Sequence, residues 1–147
     1  MSKRILVADD DAQIRAALRK ALQAEGHEVV LAADGQEGIA QYHANAIDLL
    51  VLDLNLPVKN GWDTFEQLTS VSPLVPIVII TGRRDQRDAA AAAGVGALFE
   101  KPFHVPELLG TIKQLLAEPP ELQLKRLAGL HSYLRCVRSK ATPGAPA

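Results

Sequence analysis

IDLLVLDLNLP, residues 47–57, sets the architecture of the chain. From Leu49 to Leu52 it is apolar at every position, the pattern of a strand covered on both faces, as in parallel sheets flanked by helices. The run stops abruptly at a carboxylate, Asp53. In such sheets the loops and helix N-termini collect at the carboxyl ends of the strands, and ligands bind there, so Asp53 is the first candidate for chemistry. Pro57 and Asn60-Gly61 mark the loop that follows.

The same strand-then-helix unit repeats on either side. ILVA (5–8) ends at Asp9, Asp10 and Asp11, and Ile14, Ala17, Leu18, Ala21 and Leu22 follow at helical spacing, with Gly26 as a stop signal. EVVLA (28–32) reads as a second strand, and residues 35–45 as a helix with Ile39 and Tyr42 inward. Past the opening stretch, a helix from Gly61 is expected to bury Trp62, Phe65, Leu68 and Val71. IVII (77–80) is a fourth strand closed by Thr81-Gly82, residues 85–93 an Ala-rich helix, and ALFE (97–100) a fifth strand leading into Lys101-Pro102-Phe103. A final helix carries Val105, Leu108, Leu109, Ile112, Leu115 and Leu116 on one stripe. Five strand-helix pairs in alternation predict an α/β fold with right-handed crossovers. The expected sheet is doubly wound, parallel and five-stranded, in the flavodoxin-like order 2-1-3-4-5 with helices on both faces. Under that order Asp9, Asp10 and Asp53 meet at the switch point, and Thr81 and Lys101 close strands 4 and 5.

With 147 residues, 48% of them hydrophobic, the chain can bury a core without staples. Its one cysteine, Cys136, rules out a disulfide framework and a cysteine-based metal site. The apolar run after Lys3-Arg4 is too short for a signal peptide or a membrane span, so a cytoplasmic protein with no membrane contact is expected. Residues 1–117 hold 11 Lys/Arg and 15 Asp/Glu, whereas residues 118–147 hold 5 and 2. An acidic body of this kind does not suggest direct nucleic-acid binding. We divide the chain into a domain at 1–117 and an extension at 118–147, which opens with Pro119-Pro120. The spacing of Leu127, Leu130, Leu134 and Val137 predicts one helix over 121–138 whose stripe packs on this domain or on a second copy, as in a homodimer, the alternative being that it binds another partner. TPGAPA at the end reads as disordered.

Three clustered carboxylates repel by about 4 kcal/mol per pair at about 4 Å and an effective dielectric of about 20, so they need a cation. Oxygen ligands without His or Cys nearby select a hard ion, and Mg²⁺ suits an open crevice. A hydroxyl (Thr81) and an ammonium (Lys101) beside them complete a site for a phosphoryl group, with the central carboxylate as nucleophile forming an acyl phosphate. Taken singly, each residue has an ordinary explanation; Asp11, for instance, reads as the cap of the first helix. Taken together they do not, because separate strands place complementary groups at one edge.

The strings ILVADDD, VLDLNLP…NGWD, IITG and FEKPF, in this order and spacing, resemble the receiver domain of bacterial two-component response regulators over residues 3 to about 117. The resemblance implies that Asp53 is the phosphoacceptor, that Asp10, Asp53 and the backbone carbonyl of Asn55 bind Mg²⁺, and that Asp9 acts through a metal-bound water. It further implies that Thr81 hydrogen-bonds the phosphoryl group, that Lys101 pairs with it, and that the Lys101-Pro102 bond is cis. The implied phosphodonor is a sensor histidine kinase or a phosphotransfer protein, and the output passes to a downstream protein. Two departures stand out. Leu98, with Phe99 next to it, occupies the position where the family usually has an aromatic switch residue, and the chain has no room for a helix-turn-helix output domain, which is the stand-alone type. A homodimer through the fourth helix, fifth strand and fifth helix is the other expected assembly.

An enzyme-class rival, a Mg²⁺-dependent haloacid-dehalogenase-like phosphohydrolase, also forms an aspartyl phosphate on an α/β fold. That family places its nucleophile in an Asp-x-Asp pattern after the first strand, whereas here Asp53-Leu54-Asn55 follows the third. The reading taken forward is therefore a phosphoaccepting signalling domain, not an enzyme acting on an external substrate.

Overall fold

A computed structural model of the chain describes residues 2–83, 85–128 and 135–137. The elements are β1 (Arg4–Ala8), α1 (Ala12–Ala24), β2 (Glu28–Ala32), α2 (Gly35–Ala44), β3 (Leu49–Asp53), α3 (Gly61–Val71), β4 (Ile77–Thr81), α4 (Arg87–Ala92), β5 (Ala97–Glu100), α5 (Val105–Ala117), α6 (Pro120–Leu127) and β6 (Arg135–Val137). All strand pairs are parallel, and the order is β2-β1-β3-β4-β5-β6. The first five strands stand in the expected 2-1-3-4-5 order, and β6 is added at the β5 edge.

Strand alternation divides the core in two. Leu6, Leu50, Leu52, Ile79 and Leu98 point to the side covered by α2, α3 and α4, where they meet Ile39, Phe65, Leu68 and Ala90. Ile5, Val7, Val51, Val78, Ile80 and Phe99 point to the side of α1 and α5, where they meet Leu18, Leu22, Leu108 and Ile112. β3 and β4 are buried at every position, as strands with helices on both faces must be.

The helices start where their caps sit. Asp11 Oδ1 accepts from the backbone N–H groups of Gln13 (2.8 Å) and Ile14 (3.4 Å), the capping role expected of it. Asp34 accepts from Glu37 N–H at 2.7 Å, and Asn60 from Asp63 N–H at 3.0 Å. At the start of α3 the backbone passes so close to β3 that a Cβ on Gly61 would lie 2.3 Å from Leu54 Cα and 2.7 Å from the Asp53 carbonyl oxygen. Only glycine fits there.

Two expectations are corrected. Val71, expected to be inward on α3, is 62% exposed, because α3 has reached the rim of the core in its last turn. The helix expected over 121–138 ends at Leu127, and Arg135–Val137 form a strand instead. Gly129 follows in sequence, where helix propensity falls, and the β5 edge supplies the unpaired backbone groups that a strand needs. α6 buries Gln123 and Arg126, while Leu124 and Leu127 stay exposed; Leu130, Leu134 and the TPGAPA tail lie outside the described residues. Among the described residues no helix is long and apolar enough to cross a membrane.

Candidate functional site

Asp9 and Asp10 follow β1 directly, Asp53 and Thr81 are the last residues of β3 and β4, and Lys101 follows β5 directly, so the parallel sheet delivers all five to one edge. Asp9, Asp10 and Asp53 can each present a carboxylate oxygen within 4.8 Å of the others. Asp9 and Asp53 are both 1% exposed, and Asp10 is open to solvent. Lys101 Nζ donates to Asp53 Oδ2 at 3.0 Å and stands 3.4 Å from Asp9 Oδ2. The Asp9 contact has the distance of an ion pair without the geometry of a hydrogen bond, since Asp9 Oδ2 is buried with no hydrogen-bond donor among the described residues. The remaining oxygens are held by backbone, Asp9 Oδ1 by Asp11 N–H at 2.8 Å and Asp53 Oδ1 by Asn55 N–H at 3.0 Å.

Burial raises the Asp9 carboxyl above the ordinary carboxylate value, and the neighbouring Asp53 charge adds to the rise, against a lowering by the Asp11 amide and by Lys101. Burial disfavours the Lys101 ammonium, but the Asp53 hydrogen bond and charge, with Asp9 behind them, outweigh it and raise the amine above its usual value. Lys101 is thus a fixed cation at neutral pH between two carboxylates.

Thr81 is fully buried; its Oγ1 accepts from Arg83 N–H at 3.0 Å, and its carbonyl accepts from Lys101 N–H at 2.7 Å. A cleft of about 530 Å³ opens beside the carboxylates, lined in part by Asp10, Asn55, Asn60, Trp62, Asp63 and Arg83. The Lys101-Pro102 bond is cis, as expected. Sequence reasoning missed Arg83 and Gln86. Arg83 lies two residues past Thr81, which was the available signal. Gln86, 6% exposed, accepts from Trp62 Nε1 at 2.8 Å and fixes the indole at the mouth of the cleft; nothing in the sequence marked it.

The donor set suits a hard divalent cation: carboxylate oxygens, one of them buried without a hydrogen bond, beside an open cleft. A phosphate ester or anhydride would find an ammonium, a hydroxyl and backbone amides around a nucleophilic carboxylate.

Comparison with known proteins agrees with this chemistry. Residues 5–113 match the family model of the response regulator receiver domain. The chain is 37% identical over 117 residues to the transcriptional regulatory protein PrrA of Mycobacterium tuberculosis, covering 78% of this chain and 50% of that protein. It is 39% identical over 118 residues to the response regulator MprA of Mycobacterium ulcerans, covering 79% and 51%. The chain therefore spans about half the length of these curated relatives. Among solved structures, a CheY-like receiver domain protein of Methanospirillum hungatei is similar at 31% identity and TM-score 0.75, over 85% of this chain and 98% of that one. The chemotaxis response regulator CheY4 of Vibrio cholerae is similar at 28% identity and TM-score 0.72, over 78% and 99%. None of these findings favours the phosphohydrolase alternative. With the strand order, the acidic switch point and the matched residues in agreement, the chain belongs to the receiver domains of two-component response regulators, the phosphoaccepting modules of that signalling chemistry.

Proposed function

We propose that Asp53 is the phosphoacceptor of this receiver domain, with Lys101 and Thr81 as its phosphoryl-binding partners. The observation that carries the reading is Lys101 Nζ, 3.0 Å from Asp53 Oδ2 and 3.4 Å from Asp9 Oδ2. In the free protein this ammonium neutralises the Asp53 carboxylate. As that carboxylate attacks phosphorus in line, a new P–O bond forms and the P–N bond of a phosphohistidine breaks; the electron pair leaves on the imidazole nitrogen, which takes up a proton. With a small acyl phosphate the leaving group is its carboxylate. Lys101 then pairs with the phosphoryl oxygens, and the Thr81 hydroxyl, already oriented by Arg83 N–H, donates to one of them. Asp10, Asp53 and the Asn55 carbonyl are the residues that would hold Mg²⁺, with Asp9 in its outer sphere, and the ion would neutralise charge on the transferring group.

The upstream partner in this reading is a sensor histidine kinase or a phosphotransfer protein, and the downstream partner is a protein that responds to the altered surface. The domain that does this work is residues 1–117, ending with α5, and the protein is cytoplasmic. Its chemistry is confined to accepting and losing its own phosphoryl group. Incubation with Mg²⁺ and a small acyl phosphate tests this: at most one phosphoryl group per chain is expected, with no sustained release of phosphate from small phosphoesters. Many cycles on a phosphoester would make the chain a phosphohydrolase and overturn the reading.

A further inference from the structure

In a five-stranded sheet of this order β5 would be an open edge; here it is occupied by the chain's own C-terminal segment. Ala97 is paired with Arg135, Leu98 with Cys136 and Phe99 with Val137. α6 is fastened at the turn where the chain enters β5: Gln123 Nε2 donates to the Gly94 carbonyl at 3.2 Å, and Arg126 Nε donates to Gln123 Oε1 at 3.1 Å. Arg126 also pairs with Glu118 at the end of α5. Gly94 has φ +77°, and a Cβ there would lie 2.8 Å from Leu127 Cδ2, so the turn and α6 fit closely.

This attachment differs from the rest of the fold. The helices on the two faces of the sheet pack over buried apolar side chains, whereas α6 docks through the buried Gln123 and Arg126, with Leu127 against the Gly94 turn and Leu124 exposed. Polar contacts exchange with water at small net cost, so α6 is held less firmly than the helices packed on the two apolar core clusters.

β5 is also the strand that leads to Lys101, and Lys101 N–H is bonded to the Thr81 carbonyl at 2.7 Å. A phosphoryl group on Asp53 that draws in Lys101 and Thr81 pulls on the strand against which β6 is laid, two residues from Phe99. We propose that α6 and β6 form a strap that covers the β5 edge and the Gly94 turn in the unphosphorylated protein and is released by phosphorylation. The inference rests on Asp53 as phosphoacceptor.

Amide hydrogen exchange of the full chain, with Mg²⁺ and with or without beryllofluoride as the phosphoryl mimic, tests it. Protection at residues 135–137 is expected to fall at least about fivefold when the mimic binds, while the amides of β1, β3 and β4 hold theirs. Cys136→Pro with Val137→Pro removes the β6 amide that donates to β5 in a parallel ladder. Because coupling is reciprocal, this variant should bind beryllofluoride about fivefold more tightly. Unchanged or increased protection in the mimic-bound wild type overturns the strap, whatever the variant does. Protection retained together with a doubled sedimenting mass would mean that β6 has moved to β5 of a second copy, and also overturns it. Trp62 fluorescence reports mimic binding independently. No binding to the wild type would remove the phosphoacceptor reading and the strap with it, whereas binding with a protected strap removes the strap alone.

Discussion

Asp9 holds an unfavourable charge: a carboxylate 1% exposed, facing Asp53, with one oxygen lacking a hydrogen bond among the described residues. Since its folded pKa lies above 3.8, the folded chain binds more protons than the unfolded chain between 3.8 and that value. Its contribution to stability is therefore greatest below 3.8 and is lost as pH rises through the folded pKa. Lys101 behaves in the usual way for a raised amine: its contribution is present below 10.5 and fades as pH rises through the folded value. Asp9→Asn keeps the oxygen that accepts from Asp11 N–H and removes the charge. In chelator-treated protein it should melt higher than wild type at pH 7, with the gap shrinking toward pH 4; thermal melts at both pH values check this, and a lower melting temperature at pH 7 would contradict it. Val58, in the loop between β3 and α3, is a second strained residue, a β-branched side chain at φ 68° that is 76% exposed. The left-handed conformation costs a non-glycine residue about 1–2 kcal/mol, and the flexibility of glycine returns about 0.5–1 of that. Val58→Gly should stabilise the fold by roughly 0.5–1 kcal/mol in urea unfolding. The charge cluster was legible in the sequence because each acid ends or follows a strand. The Val58 backbone was not, because valine gives no signal for a positive φ.

The elements of the domain body were legible for a similar reason: short apolar runs ended by polar residues and alternating with helical spacing read as strands of a covered sheet, and β2 and β5 coincide with EVVLA and ALFE. α4 is shorter than its Ala-rich sequence suggests, running from Arg87 to Ala92 with no side-chain hydrogen bond at its N-cap. Beyond α5 periodicity misled, because three- and four-residue spacing of leucines describes a helix only when a surface receives that face. Here the receiving surface is polar, the Gly94 carbonyl and Glu118, so Gln123 and Arg126 turn inward while Leu124 faces solvent and Leu127 sits half out, against the Gly94 turn. Arg126→Ala would leave Glu118 without this partner in a mostly buried setting, costing at most about 3 kcal/mol where such pairs are broken and no more than α6 needs to open. The loss should be confined to α6. Amide exchange should show α6 opening while β1, β3 and β4 keep their protection; uniform loss across the sheet would mean that α6 is integral to the core. Leu98 and Phe99 separate as strand alternation requires, Leu98 toward Ala90 and Val95, and Phe99 toward Phe103, with ring centroids 6.2 Å apart. Any readout through Leu98 therefore leaves by way of α4.

For the molecule as a whole, the sheet brings together carboxylates that repel one another, and a cation that binds only the folded chain must stabilise it by mass action. At a hundredfold excess of Mg²⁺ over its dissociation constant the gain is about 2.7 kcal/mol. Melting temperature should rise with Mg²⁺ in the wild type, and Trp62 emission should change with it; Asp10→Ala should abolish both responses. Phosphorus is expected to bond to Asp53 and to no other carboxylate. Mapping the phosphoryl label by peptide mass spectrometry after reaction with a small acyl phosphate and Mg²⁺ tests it most directly. We predict a single label on Asp53, lost in hydroxylamine or alkali as an acyl phosphate is, and no label on Asp53→Asn. A label on Asp9 or Asp10, or equal labelling of the Asp53→Asn protein, would contradict the account.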